Sequence, residues 1–232
     1  MKKDAILRAA ARLFAERGFG NTPTILLAQE AGVAEGTIFR HFKSKDEIFC
    51  TLIEQVRNQL RADIAAYVQS RSPKSGRDSA LCIARAFCAF VRKNRMEFGL
   101  VFRDASSRYG DDSDPAFRAI RTMYEDVGYL FYEAILQGHA DGTVGAAIHP
   151  QDTAALLVCM LMGFMRGIHF NVIRQTEVQN HMIPHLLTNI ALMLSTTASA
   201  GTQTGEDAGS DKGLGGGADD SSKNLGCSEK KA

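Results

Sequence analysis

Between residues 3 and 194 the apolar side chains return at steps of three and four, and no alternating apolar–polar run is long enough to build a sheet. An all-α fold is therefore expected. Ile6, Leu7, Ala10, Leu13 and Phe14 mark an amphipathic helix over residues 3–16, which Gly18 ends. Thr22 followed by Pro23 offers an N-cap and a proline at the first helical position, so a short helix through Leu26, Leu27, Ala28 and Ala31 is expected next. Gly32 stops it, and another short helix covers residues 35–42. Ser44 and Glu47 then form a Ser-x-x-Glu capping box that opens a fourth helix, reaching about Tyr67.

Pro73 and Gly76 make residues 70–78 a loop, after which Asp78 is expected to cap a helix to about Asn94, with a shorter one over residues 96–102. Asp114 and Pro115 open a long helix with the stripe Phe117, Ile120, Tyr124, Val127, Phe131, Ala134 and Ile135, broken at Gly142 and Gly145. Pro150 and Asp152 start the next, over residues 151–174. A last helix carries Leu186, Leu187, Ile190, Met193 and Leu194, with Pro184 in its first turn or kinking it. The 34 residues from Ser199 include eight of the 21 glycines and almost nothing apolar, so they cannot offset their ordering entropy and are expected to be disordered.

The net charge of +1 hides an asymmetry. Residues 1–61 hold ten Lys and Arg against seven Asp and Glu, while the tail is acidic by two. The five cysteines, Cys50, Cys82, Cys88, Cys159 and Cys227, lack a CxxC spacing, four of them sit within apolar helical patterns, and they read as reduced core residues of a cytoplasmic protein. Arg8, Arg12, Glu16 and Arg17 interrupt the N-terminal helix, which is not a signal peptide. The longest uncharged apolar run, residues 154–165, falls short of the about 20 residues that a bilayer span needs.

Two short helices joined by a glycine turn, the second with polar outward residues, have the layout of a helix-turn-helix, although spacing alone also fits any short helical hairpin. Ala28 lets the helices cross closely, Gly32 supplies a left-handed turn, and Val33, Ile38 and Phe42 pin the second helix. The sequence Ala31-Gly32-Val33-Ala34-Glu35-Gly36-Thr37-Ile38-Phe39-Arg40-His41-Phe42-Lys43-Ser44-Lys45-Asp46-Glu47-Ile48, preceded by Leu13-Phe14-Ala15-Glu16-Arg17-Gly18-Phe19, resembles the DNA-binding head of the TetR family of repressors. Beyond it the chain matches that family in helical layout, including the turn from Gly138 to Val144. Two positions depart from the family pattern: Phe39 stands for the usual tyrosine and Ala34 for the usual serine.

The resemblance implies a head over residues 1–49, a helical effector-binding and dimerisation body over 50–198, and a double-stranded DNA operator as partner. It implies that Thr24, Glu35, Gly36, Thr37, Phe39, Arg40, His41 and Lys45 line the DNA, with Thr37 facing the major groove and Phe39, His41 and Lys45 near phosphates. Lys45 is poorly placed for the helix dipole, and a phosphate explains it better. Arg40 can reach guanine or phosphate or stay solvated, His41 can donate to a phosphate or pack, and Glu35 can accept from a cytosine amine or point to water.

In the body, Phe87, Phe90, Phe98, Phe102, Met123, Tyr124, Phe131, Met162, Met165 and His169 are candidates for core or for the walls of a pocket, with Arg103, Arg121 and His169 able to orient a small apolar effector. The nearly all-round apolar helix over residues 151–174 needs a cover, and the resemblance places it with the last helix in a homodimer interface; an internal core helix is the other reading. A helical adaptor without DNA binding remains the alternative function. There is no GxSxG elbow, phosphate-cradling glycine loop or HExxH, so no enzyme is expected, and no cofactor. His181 and His185 lie one turn apart, but without supporting ligands they do not make a metal site.

Overall fold

The structure is a computed structural model, and it describes residues 1–108, 112–173 and 181–195. Arg174 and the glycine-rich tail with Cys227 lie outside the described residues. Among these residues the chain is helical without strands, in the order α1 (Lys2–Arg17), α2 (Thr24–Ala31), α3 (Glu35–His41), α4 (Lys45–Arg71), α5 (Gly76–Lys93), α6 (Arg95–Arg108), α7 (Pro115–Ala140), α8 (Pro150–His169) and α9 (Ile183–Met193).

The head is α1 to α3 closed by the start of α4. Leu13, Phe14, Leu27, Ala28, Ile38, Phe42, Ile48 and Phe49 are buried in it. Phe14, Phe19 and Phe49 meet with ring centroids 5.3 to 6.0 Å apart, a geometry aromatic rings favour. Thr22 differs from the expected cap. It is fully buried and its hydroxyl donates to Gly18 O at 2.8 Å, so Pro23 takes the N-cap place and α2 starts at Thr24.

In α4 the buried side chains Phe49, Leu52, Ile53, Val56, Leu60 and Ile64 run down one stripe from the head into the body. It extends to Arg71, past the expected end, because Ser72 supplies a left-handed residue at φ 45° with its N–H on Val68 O. Ser44 Oγ accepts from Glu47 N at 3.1 Å as the capping box requires. The expected cap of α5, Asp78, is displaced by Ser75, whose Oγ accepts from the Asp78 N–H. Asp114 caps α7 and Pro184 sits in the first turn of α9.

In the body, α4, α5 and α7 pack on one another, and α8 packs on α7. The closest crossing is made by Gly76 and Gly138: a Cβ at Gly76 would lie 2.0 Å from Gly138 N, and one at Gly138 would lie 2.2 Å from Val144 Cγ2. The turn after α7 then fastens this crossing. Asp141 Oδ2 accepts from Gly76 N at 2.7 Å and Thr143 Oγ1 from Arg77 N at 3.3 Å, so the end of α7 satisfies the exposed N–H groups of α5. The Thr143 hydroxyl, which donates to Asp141 Oδ1, and then the Gly76 N–H hold the Asp141 carboxyl below its ordinary value. Arg57 on α4 grips both carboxylate oxygens of Asp126 on α7, at 2.5 and 3.3 Å, with Arg61 3.6 Å away.

By length and composition α8 could cross a membrane, with a mean hydropathy of 1.2 in its best window, because a window tolerates the charges that ended the 12-residue run. One side of it is core all the same, with Ala154, Leu157, Val158, Leu161, Met162 and Met165 buried.

Candidate nucleic-acid interface

The turn between α2 and α3 is built as the sequence implies. Gly32 adopts φ 66°, ψ 36°, its N–H returning to the end of α2, and Val33 N donates to Ala28 O at 3.0 Å. Ile38 and Phe42 are buried and fix one side of α3. The opposite side is exposed: Gly36, Phe39, Arg40 and His41 face outward, and none of the last three has a side-chain partner among the described residues. Phe39 is 54% exposed. A Cβ on Gly36 would meet nothing within 4 Å.

Thr24 and Glu35 are brought together although eleven residues apart, the threonine Oγ1 donating to the glutamate Oε1 at 2.6 Å. Thr37 is half-buried. Lys45 stands differently from the expectation of a phosphate ligand: its ammonium donates to Phe19 O at 2.8 Å and Thr22 O at 3.1 Å and lies 4.2 Å over the Phe19 ring. Carbonyls of the α1–α2 turn thus explain the cation at the start of α4. Arg12 pairs with Glu30, fastening α1 to α2.

Of the body residues expected around an effector, Phe87, Phe90, Phe98, Phe102, Met123, Phe131, Met162 and Met165 are all buried. Phe98 sits edge-on to Phe87 and Phe90, each centroid 5.9 Å away. Arg103 does not turn inward. It is exposed and donates to Glu16 O at the end of α1, 3.0 Å away, so it serves the joint between head and body. Arg121 lies on the surface with Asp112 and Glu125. His169 is half-buried beside Phe102, and burial, with Arg95 and Arg103 nearby, pushes its imidazole below the usual histidine value, so it is neutral near pH 7.

A groove of about 580 Å³ opens instead between α7 and α8, walled by Tyr124, Gly128 and Tyr132 on one side and Ala154, Val158 and Cys159 on the other. Tyr124 is the one expected residue in its wall. A cleft of about 350 Å³ lies where α1, α4, α5 and α6 meet. Cys159 is exposed, unlike the core cysteine expected, whereas burial pushes the Cys88 thiol up to about 12. His181 and His185 are both exposed, and among the described residues no group of three or more His, Cys, Asp or Glu is placed to hold a metal.

Residues 6–50 match the family model for bacterial regulatory proteins of the tetR family. The chain is 24% identical over 163 residues to the HTH-type transcriptional repressor BepR of Brucella suis biovar 1 (strain 1330), covering 70% of this chain and 78% of that protein. It is 30% identical over 111 residues to the HTH-type transcriptional regulator HbdR of Aromatoleum sp. (strain CIB), 47% of each chain. A crystal structure assigned to the tetR family, from Shewanella sp. PV-4, superposes with a TM-score of 0.66 at 25% identity, covering 85% of this chain and 100% of that one.

Proposed function

We propose, on the premise of a chain that has the head and the fold of TetR-family transcriptional regulators, that it acts in the cytoplasm as a homodimeric repressor. Two copies of α3 would hold a roughly palindromic operator, and a small, largely apolar effector in the body would release it. The observation that supports this most is the outer side of α3. Gly36, Phe39, Arg40 and His41 are held outward on the head, and no contact among the described residues accounts for them. A groove-filling helix accounts for them all, since glycine admits the duplex closely, arginine reaches guanine or phosphate, and the rings pack on the backbone.

The dimer rests on the side of α8 turned away from its own core. Leu156 and Gly163 are exposed there, clear of the groove lining, and Leu192 and Met193 of α9 are 63% and 43% exposed. A Cβ on Gly163 would meet nothing within 4 Å, so its smallness has no reason inside one chain. A facing copy supplies one. Gly163→Phe should therefore weaken dimerisation while leaving the monomer folded, and sedimentation of the unaltered protein as a monomer at micromolar concentration ends this part of the reading.

For the effector, the α7–α8 groove is the site we favour. Its α7 wall adjoins Asp126, which Arg57 and Arg61 tie to α4, and α4 enters the head. A ligand that lowers operator affinity about 100-fold must favour the released conformation by about 2.7 kcal/mol, and DNA must weaken its binding equally. The deciding experiment is selection of bound duplexes from a random pool, followed by gel shifts with the selected site. Recovery of a palindromic sequence supports the repressor. Failure to enrich any duplex, from a folded dimer at low salt, favours the helical adaptor.

A further inference from the structure

Glu35 is a carboxylate on the side of the head that would face a polyanion, where charge repulsion argues against it. It is also held in place. The Thr24 hydroxyl at the start of α2 reaches across to α3 and donates to its Oε1 at 2.6 Å, while Gly36 beside it leaves open space. Glu35 is half-buried, and where a free glutamate spreads over many rotamers this bond selects one of them. A pinned carboxylate can only accept hydrogen bonds. In the major groove the available donors are the amines of cytosine and adenine. The adenine amine stands next to the N7 acceptor, which repels a second acceptor, whereas the cytosine amine has no such neighbour on its own base.

We infer that Glu35 is a specificity-determining residue that accepts from the N4 amine of one cytosine in each half-site, and that Thr24 is the positioning residue that aims it. The inference rests on the DNA-binding reading above and names what that surface reads. Repulsion from phosphates then has a use, because a wrong base at this position leaves the carboxylate unpaired as well as badly placed. The preference for cytosine is expected to be about tenfold over the other bases.

The test is selection from a random duplex pool by the full chain and by E35Q, E35A, T24V and T24S, with melting temperatures confirming that each is folded. The unaltered protein should show one cytosine per half-site whose identity depends on Glu35. E35Q carries an amide that donates and accepts, so its preference at that position should turn from cytosine to adenine. E35A should lose the preference there and bind non-specific DNA more tightly. T24V should flatten the preference at the same position alone, and T24S, which keeps the hydroxyl, should restore it. The inference is overturned if E35A and E35Q select the same site as the unaltered protein, for Glu35 then only points to water. It is overturned too if T24V matches the unaltered protein at that position, which removes the aiming role. If no variant and not the parent enriches any duplex, the DNA-binding reading falls first, a result distinct from both.

Discussion

In the head, Gly36 stands on the outer side of α3, where a methyl group would meet nothing within 4 Å; in the body, Gly76 stands where the same methyl would lie 2.0 Å from the Gly138 nitrogen. The contrast extends to the polar groups. Asp141 and Asp126 in the body spend their oxygens on Gly76, Thr143 and Arg57, whereas Arg40 and His41 on α3 have no side-chain partner among the described residues. Gly76, Asp126 and Asp141 are explained by what surrounds them within the chain. On the outer side of α3 the explanation has to come from a molecule that docks there.

The largest effect that tests this contrast comes from Gly76→Val. It forces a branched side chain into the backbone of α7, and a loss of about 3 kcal/mol or more is expected, seen as a large fall in melting temperature. An unchanged melt would mean that α5 and α7 do not cross as closely as described. Next is Arg40→Ala, for which about 1–3 kcal/mol of operator affinity should disappear with the melting temperature unmoved. Loss of stability in place of affinity would put Arg40 in the body's class and break the comparison.

Asp126→Asn removes the partner of a half-buried, two-point arginine contact, and on the order of 1 kcal/mol of stability should be lost. The same variant should also blunt the response of DNA binding to an effector, and an intact response in gel shifts would leave the α4–α7 tie as packing only. Gly36→Ala is expected to go the other way in stability. Alanine gains up to about 1 kcal/mol in a helix over glycine, yet operator binding should weaken because the helix can no longer approach as closely. Tighter binding together with a higher melting temperature would remove the external reason for this glycine.

The smallest effect is a pH dependence at Asp141. Its folded carboxyl titrates below the ordinary value, so the unfolded chain binds the proton more readily, and the contribution to stability is complete above about pH 4 and is lost as pH falls through the folded value. Asp141→Asn should flatten the acid limb of a plot of melting temperature against pH while leaving DNA binding alone. An unchanged acid limb would assign that limb to other carboxylates.

The head was legible because its signals are local. Gly32, Ser44 with Glu47, and the apolar steps of α1 and α3 each fix a nearby backbone, and the observed turn and cap follow them. Misreadings arose where two residues could do the same work. Ser75 and Asp78 both suit the start of a helix, and only the fold shows that serine accepts from aspartate's N–H. The partners of Lys45 and Arg103 within the chain were hidden for a different reason. Each ends on main-chain carbonyls, which carry no mark in the sequence. Among the aromatic residues of the body, helical spacing could not separate the buried Phe87, Phe98 and Phe131 from Tyr124 in the groove wall, because both kinds lie on apolar faces.

Where α6 meets the head, its hold on α1 is a guanidinium on the carbonyl of Glu16, beside Gly99, from whose Cβ position the Ala15 methyl would be 3.8 Å away. A carbonyl is the same whatever side chain its residue carries. That bond therefore follows the course of the head's backbone, while the α1 side chains packed on α6, Ala15 among them, set the rest of the joint. Such a bond puts no demand on the side chains of α3, so a head that keeps α1 and the same backbone path but carries different α3 residues is expected to be accepted at this joint without rebuilding the body.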